Sequence, residues 1–174
     1  MSLKKRLEVK WQTNKELGVF INKWGCNFIS ILEKVEKAGK WKLHFSNELV
    51  HDIYKECILK RYISAEVWQG KEPVDGCTIL YYQGVYNLAA EKLGVKSKCI
   101  NVRKEPASYN PKRHEEEILE LGRNGYNGSH FVSGTGEKGN PWQTEIEFDP
   151  IEGGSTCARL GFIKSKRILE VRKC

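Results

Sequence analysis

The sequence has no stretch approaching eighteen consecutive apolar residues, and its start, Met1-Ser2-Leu3-Lys4-Lys5-Arg6, is basic with no apolar segment behind it. Neither a membrane span nor an export signal is expected, and the chain reads as cytoplasmic with no membrane partner. No Cys-x-x-Cys pair occurs among the six cysteines, which stand at 26, 57, 77, 99, 157 and 174. That spacing argues against structural zinc and dithiol redox motifs, and the absent export signal argues against a secreted disulfide framework. Most of these thiols then read as small core hydrophobes. Four histidines, His44, His51, His114 and His130, show no ligand spacing with one another or with the cysteines, so neither a metal nor another cofactor is expected. No repeat, low-complexity tract or phosphate-binding glycine loop is present.

What is present is the composition of one folded domain. The 174 residues are 40% hydrophobic, 10% aromatic and 29% charged, enough apolar surface for an ordinary core and too much for disorder. The net charge of +7 biases encounters toward acidic partners without naming one. Arg159, Lys164, Lys166, Arg167, Arg172 and Lys173 crowd the last sixteen positions against Glu170. A solvated strand face accounts for them, and no nucleic-acid partner is expected without a recognition motif.

Periodicity divides the chain. Phe28, Ile31, Leu32 and Val35 repeat at helical spacing between Gly25 and Ala38, with Glu33, Lys34, Glu36 and Lys37 on the opposite face and Gly39 as the stop. Ser46 caps a second helix running to about Arg61, and a third covers Gly84 to Leu93 before Gly94. Cys99, Ile100 and Val102 read as a short strand, Pro106 to Pro111 as a loop, and Lys112 to Leu121 as a fourth helix. After a break at Gly122 to Gly128, strands are expected at His130 to Ser133, Thr144 to Phe148 and Leu160 to Val171. Helices first and antiparallel strands second is an α+β pattern, one domain with a helical half over about 20–95 and a sheet half over about 96–174.

Three residues carry candidate chemistry. Cys26 follows Trp24-Gly25 at the start of the first helix, where unpaired N–H groups and the helix dipole favour a thiolate. His130 opens the apolar run Phe131-Val132, whereas His44, His51 and His114 read as surface or capping residues. Asp149 ends the run Glu145-Ile146-Glu147-Phe148. If strands 130–133 and 144–148 are antiparallel neighbours, Asp149 can orient the imidazole of His130, which in turn serves Cys26 as base. Trp24 and Trp142 are placed to wall such a cleft, while Trp41 and Trp68 read as core or cleft-wall aromatics. The glycine-rich segment 133–141 suits either a lid or a long hairpin tip.

Gly25-Cys26 on a helix, the strand Gly128-Ser129-His130-Phe131-Val132 and the strand Ile146-Glu147-Phe148-Asp149-Pro150 resemble the Cys, His and Asp segments of papain-like cysteine peptidases, especially the bacteriocin-processing type. The same blocks, with a last strand from Gly161 through Ser165-Lys166-Arg167, resemble a group of short bacteriophage and spirochaete-plasmid proteins. The resemblance spans about residues 20–168 and implies a helical half packed on an antiparallel sheet with the active cleft between them. One position departs from the pattern. Papain-like peptidases place an oxyanion-hole glutamine about six residues before the cysteine, and here that residue is Phe20, leaving Asn22 and the distant Gln12 as amide candidates.

Two functions follow as expectations. The first is a thiol hydrolase cleaving a peptide, isopeptide or related amide bond of a protein or peptide substrate through an acyl-enzyme. The alternative is a catalytically silent fold of the same type that binds or inhibits a protein, for instance one of a phage host.

Overall fold

A computed structural model describes residues 15–174. After a short 3-10 turn at Lys15–Leu17 come α1 (Val19–Trp24), α2 (Cys26–Ala38) and α3 (Asn47–Leu59), then a small hairpin of β1 (Val67–Gln69) and β2 (Glu72–Asp75). α4 (Tyr82–Leu93) leads into the main sheet, made of β3 (Ser97–Pro106), β4 (Glu115–Arg123), β5 (Tyr126–Gly134), β6 (Ile146–Phe148) and, beyond the short α5 (Thr156–Leu160), β7 (Phe162–Lys173). The five strands are antiparallel in the order β3-β7-β4-β5-β6, so the last strand inserts between the third and fourth. This is the α+β arrangement the segregated pattern predicts.

The helical expectations near the N-terminus hold to within a few residues. Ser46 caps α3 by accepting from the Leu49 N–H at 3.2 Å, and Gly94 ends α4 in the left-handed region at φ 78°. The face assignment of α2 differs. Glu33, Lys34 and Glu36 are buried along with its apolar residues, because this helix lies between the other helices and the sheet with no open side.

Two further differences concern the sheet. Residues 112–121 form no helix: from Glu115 onward they are β4, flanked by β7 and β5 and buried on both faces. The expected break at 122–128 is only the two-residue Asn124-Gly125 turn, with Gly125 at φ 74° and Arg123 paired to Tyr126. Short of these, β3 runs further than expected, and residues 142–145 form a 3-10 turn rather than strand.

One apolar core fills the space between helices and sheet and includes Cys57 and Cys99. A smaller one on the opposite face joins Leu119, Leu121, Val132 and Cys157. Trp142 packs there, Trp41 is half-buried, and Trp24 and Trp68 are about half exposed, so none of the four is a fully buried core residue. Of the basic C-terminal run, Arg159, Lys164, Arg172 and Lys173 are exposed as expected, and two residues depart from the solvated face. Lys166 is fully buried, with Nζ 2.9 Å from Glu117 and 3.5 Å from Glu145, while Arg167 pairs with Glu120 at 3.3 Å.

Candidate active site

Cys26 is the first residue of α2, and the chain reaches it through a tight joint with α1. A Cβ at Gly25 would stand 2.5 Å from the Ile21 carbonyl oxygen, closer than any side chain tolerates, so only glycine lets α1 and α2 abut at that angle. Ser30, one turn along, donates to the Cys26 carbonyl at 2.8 Å and lies 3.3 Å from the Phe131 carbonyl, tying the start of α2 to the strand that carries His130.

β5 and β6 are antiparallel neighbours, with Ser133 opposite Phe148, and this places His130 beside Asp149. The His130 Nε2 to Asp149 Oδ1 distance is 2.8 Å, with both side chains about nine-tenths buried. Asp149 is itself held: Oδ1 accepts from the Ile151 N–H at 3.0 Å and Oδ2 from the Ser155 N–H at 2.8 Å. With Nε2 committed to the carboxylate, Nδ1 is the ring nitrogen left for the thiol. Burial works against a charged imidazole, yet hydrogen bonds to Asp149 and Cys26, reinforced by their charges, lift the His130 pKa to about 9. Burial also opposes the charged form of Asp149, but the imidazole and the two backbone N–H groups hold its pKa below the ordinary carboxylate value.

These groups open onto a cleft of about 500 Å3 lined by Trp24, Cys26, Asn27, Tyr82, His130 and Phe131 among others. The three residues singled out as nucleophile, base and orienting acid are therefore brought together, with Trp24 on the wall as expected. Trp142 is not on the wall; it packs in the smaller core, drawn there by the 3-10 turn that precedes β6. The segment 133–141 is no lid over this cleft: Thr135 N–H donates to the Glu145 carbonyl at 2.8 Å and Gly136 N–H to Glu117 at 3.0 Å, stitching it to the sheet. His44 faces Glu36 at 3.2 Å and His51 the Glu16 carbonyl at 2.8 Å, both remote from the thiol. A larger groove of about 780 Å3 includes His114 but no thiol. Among the described residues no cluster of His, Cys, Asp or Glu is arranged to hold a metal ion.

Of the two expected amide donors, only Asn22 falls among the described residues, and it is not in place. Asn22 is half-buried and does not line the cleft, and Gln12 lies outside the described residues. The amide that does line it is Asn27, next to the thiol. Its Nδ2 donates to the Tyr82 hydroxyl at 2.5 Å, and its Oδ1 is buried with no hydrogen-bond partner among the described residues. Exchanging the amide oxygen and nitrogen lets Oδ1 accept from the Tyr82 hydroxyl and leaves Nδ2 as the donor without a partner among the described residues. An asparagine directly after the cysteine lies downstream of the expected amide positions, and only the folded cleft singles it out.

Arg167, Cys77 and Tyr82 also line the cleft and were not singled out for it. Arg167 comes from β7, whose insertion beside β4 was not legible locally. No protein-family model, curated protein or solved structure matches the chain.

Proposed function

We propose that the protein is a thiol hydrolase with a papain-like arrangement of helical half, antiparallel sheet and intervening cleft, acting on a peptide, isopeptide or related amide bond. The observation that carries this reading is the His130–Asp149 pair at 2.8 Å, with the Cys26 thiol on the other side of the same ring and an open cleft in front of it. A buried imidazole with a raised pKa, hydrogen-bonded to the Cys26 sulfur, is the partner through which that sulfur is activated.

The Cys26 sulfur attacks the carbonyl carbon, forming the S–C bond while the C–O π pair moves to oxygen. In this reading the first-turn N–H groups of α2 donate to that oxyanion, with Asn27 as the side-chain donor because it lines the cleft beside the thiol. As the tetrahedral species collapses and the C–N bond breaks, imidazolium His130 gives its proton to the leaving amine. Neutral His130 then takes a proton from water, whose oxygen attacks the thioester, releasing the acid and restoring the thiolate–imidazolium pair. Asp149 is a positioning residue: it fixes ring orientation and tautomer and stabilises the charge on the ring.

Iodoacetamide labelling followed by peptide mapping tests the reading. Selective alkylation of Cys26 near neutral pH, lost in His130→Ala, is the expected result. Slow, even labelling of several cysteines would overturn it. One observation favours the alternative of a silent protein-binding or inhibitory module: Phe20 stands where a glutamine amide is expected, and Asn22 is outside the cleft. That reading requires the protein to turn over no amide substrate, with or without Asn27→Ala. As an oxyanion donor, Asn27 instead makes the substitution cost about a hundredfold or more in kcat.

A further inference from the structure

The aromatic wall of the cleft carries cations. Lys23 Nζ stands 4.9 Å from the ring centroid of Trp24, the Arg123 guanidinium 5.7 Å from that of Tyr126, and the Arg167 guanidinium 5.9 Å from that of Phe131. Trp24, Tyr126 and Phe131 all line the cleft, as do Lys23 and Arg167 themselves, and among the described residues no Asp or Glu does. Trp24 and Tyr126 are 47% and 44% exposed, so the faces they offer are open to a ligand.

The carboxylates behind this lining do not cancel it. Asp149 is committed to His130 and two backbone N–H groups. Glu66, which accepts from the Cys77 thiol at 3.3 Å and the Ser64 hydroxyl at 2.5 Å, keeps its negative charge and offsets one of the cations. Glu120 is the partner of Arg167 at 3.3 Å, but it is shared with Lys164 at 3.6 Å and Lys104 at 4.0 Å, so one negative charge faces three positive ones. Among the described residues neither Lys23 nor Arg123 has a carboxylate partner, and the Arg123 Nε is buried with no hydrogen-bond partner. Aromatic shelves fix apolar stems, and unneutralised cations above them favour negative charge on what those stems carry.

We propose that the cleft selects an acidic peptide, with glutamate or aspartate side chains flanking the bond presented to Cys26. The selectivity rests on the hydrolase reading for its chemistry but on the cation-bearing wall for its sign.

Peptide chloromethyl ketones that differ only in carrying flanking Glu or flanking Lys test it, with iodoacetamide as the neutral reference for Cys26 alkylation. The Glu probe is expected to label Cys26 about tenfold faster or more at low salt, with the advantage shrinking as salt rises. In Lys23→Glu/Arg123→Glu the ratio of the two probe rates, each divided by that variant's own iodoacetamide rate, falls toward one. Lys98→Glu/Lys173→Glu, which changes net charge equally at exposed positions outside the cleft lining, leaves the ratio as it was. Equal rates for both probes in the unmodified protein, or the same loss in both double variants, would overturn the proposal. If iodoacetamide shows no preference for Cys26, the hydrolase reading fails by itself. The same peptides without the reactive group, bound to Cys26→Ser and to its two charge-reversed forms, then carry the comparison: tighter binding of the Glu peptide that only Lys23→Glu/Arg123→Glu abolishes supports it, and equal binding refutes it.

Discussion

At His130 desolvation and hydrogen bonding pull in opposite directions, and the hydrogen bonds prevail. Because the folded pKa, about 9, lies above the ordinary 6.5, the ring contributes stability that is full below pH 6.5 and is lost as pH rises through about 9. Asp149 is shifted downward from 3.8, so its share is present above that value and lost as pH falls through the depressed pKa. The pair therefore contributes most between about pH 4 and 6.5. In Asp149→Asn the ring loses its main anionic partner. NMR titration is expected to show the His130 ring titrating near 9 in the unmodified protein and well below that in the variant. The deficit in unfolding free energy of the variant, from urea melts, shrinks as pH approaches 9. A ring that titrates identically in both proteins would contradict the assignment of Asp149 as its orienting group.

Among the elements, the joint between α1 and α2 is the most exacting. Gly25→Ala pushes a methyl group into the Ile21 carbonyl and side chain, at 2.5 Å and 2.6 Å, and the two helices must part. The expected cost is about 1–3 kcal/mol in denaturant melts, accompanied by slower alkylation of Cys26, since the displaced residue is the nucleophile's neighbour. Unchanged stability and alkylation would show that the joint tolerates the shift. The sequence made α2 easy to read because its apolar spacing, its glycines and its cysteine all lie within one stretch, whereas the short α1 before it was not foreseen. β4 was harder for the opposite reason. Its Glu115-Glu116-Glu117 opening reads as the first turn of a solvated helix, and the partners that make it a strand lie elsewhere: Arg103 for Glu115 at 2.5 Å, Lys34 and Lys37 for Glu116, and Lys166 for Glu117. Carboxylates paired through tertiary contacts leave no local trace. The Asn124-Gly125 turn, by contrast, is a strong hairpin signal in itself, and reading it first would have turned residues 115–123 into a strand. The Cys-His-Asp set was legible because a single antiparallel pairing, β5 with β6, suffices to join two of its members. Arg167 and Asn27 were not, since the first needs the full strand order and the second needs the cleft.

Across the whole molecule, charge is distributed inward to an unusual degree for so small a chain. Lys34 is fully buried, with Nζ 2.6 Å from the Gly134 carbonyl, 2.9 Å from Glu147 and 3.1 Å from Glu116. Burial opposes its charge, but Glu33, Glu116 and Glu147 outweigh that and hold its pKa above the usual lysine value. Lys166 and Glu117 form a second buried pair at 2.9 Å. Such pairs add little net stability when intact and cost heavily when halved. Glu117→Gln should lower unfolding free energy by about 3–5 kcal/mol, whereas the triple change Glu117→Gln/Glu145→Gln/Lys166→Met, which removes all three charges and keeps an acceptor for the Gly136 N–H, should lose clearly less. Equal losses in the two proteins would refute the pairing as the source of the effect.

The alternation along β7 ties these interior charges to the cleft. Ser165 and Arg167 meet Glu120, while Lys166 between them turns to Glu117 and Glu145. Sliding this strand by a single position would strand an ammonium group among the wrong neighbours and withdraw the guanidinium from beside Phe131 at the same stroke. The last strand thus acts as its own proofreader: a chain that zips up out of step is penalised in its interior, and it is also left without a finished mouth to the thiol.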